Sequence, residues 1–179
     1  MMRRARRTGG SGLLMLAISC LSAQAADNNV HLHGALVAEP CVIPPGEESI
    51  PLDFGSVVAK YLYLHGRTAG QGFSIHLADC DPSIAKTVRV TFSGTQSTAL
   101  PGLLAPDPGS TATGIAIGLE TPTGQAVPLE TPSDKTTLIP GDTHITLQAY
   151  VRGEPDAIAH QSITEGTFSA VAAFHLEYE

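Results

Sequence analysis

Val30-His31-Leu32-His33-Gly34-Ala35-Leu36 stands shortly before Cys41, and the sequence closes on Phe168-Ser169-Ala170-Val171-Ala172-Ala173-Phe174-His175-Leu176-Glu177-Tyr178-Glu179. In a strand, successive side chains point to opposite faces. Val30, Leu32 and Leu36, with Gly34 between them, therefore share one face and form an apolar ribbon able to fill a groove. Phe168, Ala170, Ala172, Phe174, Leu176 and Tyr178 also share one face without a break, and this second strand can be one wall of such a groove. The small Ala170 and Ala172 would leave depth there for the side chains of a partner. Gly34 suits a place where the groove narrows and two backbones approach closely.

What precedes the first ribbon reads as a secretory signal over residues 1–25. Arg3, Arg4, Arg6 and Arg7 give a positive start, Leu13 to Leu21 an apolar run, and Ala23-Gln24-Ala25 a cleavage site of A-x-A form. The run is shorter than the roughly 20 residues a membrane span needs. Two neighbouring arginine pairs raise a twin-arginine route, but no cofactor motif follows that would require folding before export. Cys20 raises lipidation, but Ala17-Ile18-Ser19 lacks the usual Leu at the third position back. Four of the ten basic residues leave with the signal, so six remain against 17 acidic ones, a charge of −11. Such a surface repels nucleic acid and anionic lipid. Two cysteines also remain, Cys41 and Cys80, and in an oxidising compartment an even pair reads first as a disulfide.

The rest of the chain alternates or runs apolar in short pieces: Ser49 to Phe54, Phe73 to Leu77, Thr87 to Phe92, Gly114 to Leu119, Thr143 to Val151 and Phe168 to Tyr178. Pro44-Pro45-Gly46, Pro106-Asp107-Pro108-Gly109, Thr123-Gly124 and Pro140-Gly141-Asp142 are turn signals between them. No stretch after the signal keeps a helical apolar period over three turns; a short helical turn fits Ala157-Ile158-Ala159, limited by Pro155. Short strands with this spacing indicate an all-β antiparallel sandwich of immunoglobulin type. The chain has no Trp, so the buried Trp of antibody domains is absent.

Seven histidines invite a metal or catalytic reading. His31 and His33 form a His-x-His pair on one side of a strand, as in copper–zinc superoxide dismutase, but His65, His76, His144, His160 and His175 are scattered without comparable spacing. The pair reads instead as the polar face of the ribbon. Gly72-Phe73-Ser74-Ile75-His76 fails the GxSxG pattern at its last position. Asp79 and Asp81 around Cys80 lack any calcium-loop spacing and read as a turn. No phosphate loop occurs. The expectation is therefore neither an enzyme nor a holder of a metal or cofactor.

At these residues the chain resembles the pilin subunits of chaperone–usher pili, of the type 1 and P pilus groups. Val30-His31-Leu32-His33-Gly34 followed by Cys41 looks like the family's N-terminal extension and first cysteine. Phe73 to Cys80 looks like its second-cysteine strand and Val88 to Thr95 like the strand that follows; Gly114 to Leu119, Leu147 to Tyr150 and Phe174 to Glu179 complete the order. The resemblance implies an incomplete immunoglobulin-like sandwich lacking its last strand, with a donor-strand extension over 26–40 and a pilin domain over 41–179. It implies a periplasmic pilus chaperone that lends a strand and grips the terminal one, an outer-membrane usher, and neighbouring pilus subunits as partners. Export would lead to the periplasm and then to a surface pilus. The 15 residues between the cleavage site and Cys41 are short for a rod-forming extension, so a minor tip or linker subunit is the first expectation, a rod subunit the second and an assembly terminator the third. The alternative in another class is a self-contained secreted sandwich binding a ligand or metal. An open groove beside the terminal strand separates the two.

Overall fold

The computed structural model describes residues 32–34, 36 and 38–179; the signal segment and Val30 lie outside the described residues. Within the unit Val37–Glu179, chain order is α1 (Ala59–His65), β1 (Gln71–Cys80), β2 (Thr87–Ser93), β3 (Ile115–Glu120), β4 (Thr136–Thr137), β5 (Gly141–Gly153), α2 (Pro155–Ala159) and β6 (Ala173–Tyr178). Two antiparallel sheets form, in the orders β1-β5-β3 and β4-β2-β6. Their inner faces are the alternating apolar sets. Ile75 and Leu77 of β1, Ile145 and Leu147 of β5 and Ile117 of β3 meet Val88, Val90 and Phe92 of β2 in one buried cluster. The immunoglobulin-type sandwich expected from the sequence is the fold.

β5 defines the long axis. Its first residue, Gly141, pairs with Cys80, and its last, Gly153, pairs with Ile115 and donates its N–H to Gly66 O. The pole at Cys80 is called the base here and the pole at Gly66 the top. The Cys41–Cys80 disulfide, with Cα atoms 4.1 Å apart, lies at the base beside the Val42–Ala78 bridge, as the even cysteine pair predicts. At the top, α1 buries Leu62 against Ala112, Ile115 and Val151, a second small core. α1 escapes a reading based on three helical turns because it has only seven residues. Gly66 ends it in the left-handed conformation at φ 77°, its N–H donating to Leu62 O.

The outer face of the β3–β5 pair carries an ion pair rather than water. Arg67 reaches both oxygens of the buried Glu120 carboxylate, at 2.6 and 2.8 Å, and its guanidinium lies 3.6 Å above the Tyr150 ring. Tyr150 in turn crosses Gly118, where any Cβ would collide with the phenol. This layer explains why β3 is buried on both faces.

Two expected strands are corrected. Ser49 to Phe54 is extended, and Ile50, Leu52 and Phe54 alternate inward, but it joins no ladder. Pro51 removes a donor, and the segment has no hydrogen-bonded neighbour strand among the described residues. The terminal strand begins at Ala173 rather than Phe168. Before that point the backbone bonds to a loop instead of to β2: Asp107 N–H donates to Ser169 O, and Thr111 and Ala112 N–H donate to Thr167 O.

Closing a long loop by a disulfide removes entropy from the unfolded chain. Replacing Cys41 and Cys80 together by Ala should lower the unfolding free energy of the purified chain by about 4 kcal/mol, read as a lower urea midpoint with a slope that does not fall, since the freed unfolded chain exposes more surface.

Candidate functional site

The two corrected segments face each other. One climbs from the base through Ile43, Ile50 and Leu52 to Phe54; the other descends from Phe168 through Ala170 and Ala172 to Phe174. Between them lies a groove of about 750 Å³. Its floor is the edge of the main core, with Phe73, Phe92, Leu104, Ile117, Leu119 and Ala149. The walls meet at the top, where the Phe54 and Phe168 rings stand 6.1 Å apart. Each wall carries apolar side chains every second residue, half-buried inside and exposed between. That is the pattern of strands packed on one face with room beside them.

Along this gap one wall is without backbone partners and the other ends in an open edge. Ser49 to Phe54 makes no backbone–backbone hydrogen bond among those of the described residues, and β6 pairs with β2 on one edge only. A row of free N–H and C=O groups beside an apolar trough is a template for one more strand.

The predicted wall residues are brought together in part. Phe168, Ala170, Ala172 and Phe174 line the groove. Leu176 and Tyr178 continue the same face toward the base and pack on the main core, outside the groove itself. Burial pushes the Tyr178 phenol up, with the Glu39 carboxylate adding to it. Beyond Tyr178, Glu179 carries a salt bridge to Lys135 at 2.5 Å and to Arg89 at 3.3 Å, which holds its carboxyl below the usual range, Lys135 contributing most. Of the predicted ribbon, Leu32 and Leu36 are exposed, and no atom would meet a Cβ at Gly34. The opposite wall, Ile50, Leu52 and Phe54, was legible as an alternating segment, but nothing in the sequence marks which strand it faces.

At the foot of the first wall, His76 of β1 is held between two carboxylates. Its Nδ1 is 2.8 Å from Glu47 and its Nε2 3.3 Å from Asp142. Its ring stacks on His144 of β5, centroids 4.6 Å apart. Glu47 lies just before the wall, so His76 ties the wall's lower end to the β1–β5 sheet. The described residues contain no group of three His, Cys, Asp or Glu side chains arranged to hold a metal. No helix among them is long and apolar enough to cross a membrane.

The described domain is an incomplete antiparallel sandwich with an open apolar gap beside its terminal strand. The family model described as "Fimbrial protein" matches residues 30–179. The chain is 32% identical over 170 residues to the Fimbria A protein of Serratia marcescens, covering 93% of this chain and 94% of that protein. It is 28% identical over 185 residues to the fimbrial adapter PapK of Escherichia coli, covering 94% and 97%. Among solved structures, a chaperone–usher pilus structure addressing rod uncoiling has a subunit 26% identical, with a TM-score of 0.67, covering 88% of this chain and 99% of that one. The chain belongs to the fimbrial protein family and is a chaperone–usher pilin, a family of structural subunits rather than enzymes.

The two carboxylates raise the His76 pKa above its ordinary value, Glu47 more than Asp142. A raised pKa in the fold stabilises fully below the unfolded value, and the contribution is lost as pH rises through the folded value. NMR titration should therefore place His76 above the ordinary imidazole pKa of about 6.5, and Glu47→Gln should bring it back toward that value.

Proposed function

We propose that this chain is a minor tip or linker subunit of an adhesive pilus, assembled by donor-strand exchange through a periplasmic chaperone and an outer-membrane usher. The carrying observation is the open groove between Ser49–Phe54 and Phe168–Phe174. During export a chaperone strand fills it and pairs with the terminal strand, β6 included. In the pilus, the N-terminal extension of a neighbouring subunit replaces that strand. This chain's own extension, Val30, Leu32, Gly34 and Leu36, fills the groove of the next subunit. Burying Val30, Leu32 and Leu36 contributes roughly 1.5–3 kcal/mol each, and each strand hydrogen bond adds about 1 kcal/mol net. Gly34 lets the ribbon pass where the walls are close. The short extension before Cys41 favours the linker role; the fold similarity to a rod subunit favours the second reading, a rod subunit. A self-contained ligand-binding sandwich accounts for neither the gap nor its free backbone edges.

The test uses a synthetic peptide of residues 26–39 and the exported chain. The peptide should be captured by the folded domain and raise its urea midpoint. Phe174→Asp places an unpaired charge in the trough, at a cost of several kcal/mol, and should abolish both capture and chaperone co-purification. Leu32→Asp in the peptide should abolish capture without any effect on export of the chain. Undiminished capture by Phe174→Asp would show that the groove is not the acceptor.

A further inference from the structure

One glycine stands where the floor of the groove and its second wall meet. β2 ends at Ser93, which pairs with Ala173 of β6. Beyond Ser93 the chain changes partner. Thr95 O accepts from Ala105 N–H, Ser97 N–H donates to Leu103 O, and Leu104 exchanges both backbone bonds with Ile117 of β3. Gly94 is therefore the residue at which the chain leaves the terminal strand and turns toward the other sheet. A Cβ on Gly94 would stand 2.5 Å from Leu104 Cδ1, 3.1 Å from Val171 O and 3.7 Å from Ala172 Cα. Ordinary carbon–carbon contact lies at about 3.5–4.0 Å, so the first of these is a collision. Leu104, Val171 and Ala172 all line the groove, whereas Gly94 does not. Nor does Gly94 adopt a positive φ. What this position requires is space, and not an unusual backbone.

We infer that Gly94 is a positioning residue for the groove: its missing side chain keeps Leu104 on the floor and preserves the depth offered to an incoming strand. The inference rests on the donor-strand reading for the identity of that occupant. Leu104 does not yield through its backbone, because it is bridged to Gln96 on one side and to Ile117 on the other. Its side chain is 6% exposed and belongs to the main core, where packed neighbours resist added volume. The open space that Leu104 borders is the groove. A methyl at position 94 therefore turns the Leu104 side chain into the gap. Relief through the wall is resisted as well. Ser169, on one side of Val171, is bonded through its N–H to Ser110 and through its carbonyl to Asp107, and Ala173 on the other side pairs with Ser93. Ala170 and Ala172 of the wall and Ala149 of the floor keep bulk out of the gap from inside. Gly94 does the same from behind Leu104.

The experiment measures capture of the peptide 26–39 by the exported chain carrying Gly94→Ala, Leu104→Val or both. Gly94→Ala should weaken capture about tenfold, the scale of overpacking by one methyl. Leu104→Val removes the atom that a Cβ at 94 strikes, so in that background Gly94→Ala should cost nothing, a coupling that a double-mutant cycle isolates. Undiminished capture by a folded Gly94→Ala chain, or an equal loss in both backgrounds, would overturn the inference while the donor-strand reading stands. A Gly94→Ala chain that fails to fold would overturn it too, since the glycine would then serve the domain and not the groove. Methyl NMR gives a readout without peptide: in Gly94→Ala, a Leu104 methyl should gain a contact to the methyl of Ala170 or Ala172 across the gap. That contact, without peptide capture by the unsubstituted chain, would retain the spacing role of Gly94 and discard donor-strand exchange by this extension. Absence of the contact would discard the spacing role.

Discussion

The fold depends on a sheet that stops one strand short. Backbone N–H and C=O groups buried without partners are costly, and an apolar trough in water is an association surface. Both costs are concentrated in one place, between Ser49–Phe54 and Phe168–Phe174, and the rest of the unit is arranged around them. The main core is complete on every other side: β1, β5 and β2 bury their inner faces, the Arg67–Glu120–Tyr150 layer seals the outside of β3, and α1 with α2 closes the top. The gap is therefore not a loosely folded region. It is a shaped gap over a floor of packed core side chains.

Much of this was legible in the sequence because period two is a strong signal when one face is buried. Val88, Val90 and Phe92 lie on the one buried face that alternation assigns them, and the expected strands Phe73 to Leu77 and Thr143 to Val151 fall within β1 and β5. The cysteine pair fixed the base. The even face from Phe168 to Tyr178 also survives in the burial pattern, although hydrogen bonding divides it: Thr167 and Ser169 bond to the loop Asp107–Ala112, and only Ala173 onward ladders with β2. Alternation reports which side of a segment is buried and says nothing about which neighbour its backbone bonds.

What was not legible depended on contacts distant in sequence. Ser49 to Phe54 has the composition of a strand, yet it pairs with no strand among the described residues, so a local reading assigns it a ladder that it does not make. α1 was missed because its stability comes from burying the single side chain Leu62 against Val151 and Ile115, not from a periodic face. The Arg67–Glu120 pair could not be anticipated either, since the partners are 53 residues apart and only the β3–β5 register brings them together. Part of the groove's floor belongs to this class: Leu104, which lines it, lies in none of the stretches that alternate.

The position of the disulfide has a mechanical consequence. Any pull on the chain before Pro40 meets Cys41 first, and there the load path divides. One branch follows the backbone into the lightly bonded wall that leads to Phe54. The other crosses a covalent bridge into Cys80, the end of a ten-residue strand laddered along β5. Because β1 is then drawn along its own axis, its hydrogen bonds with β5 are loaded in shear, many at once, and not peeled one after another. Tension is diverted from the segment least able to bear it, so the lightly bonded wall can keep its place while the domain as a whole carries force.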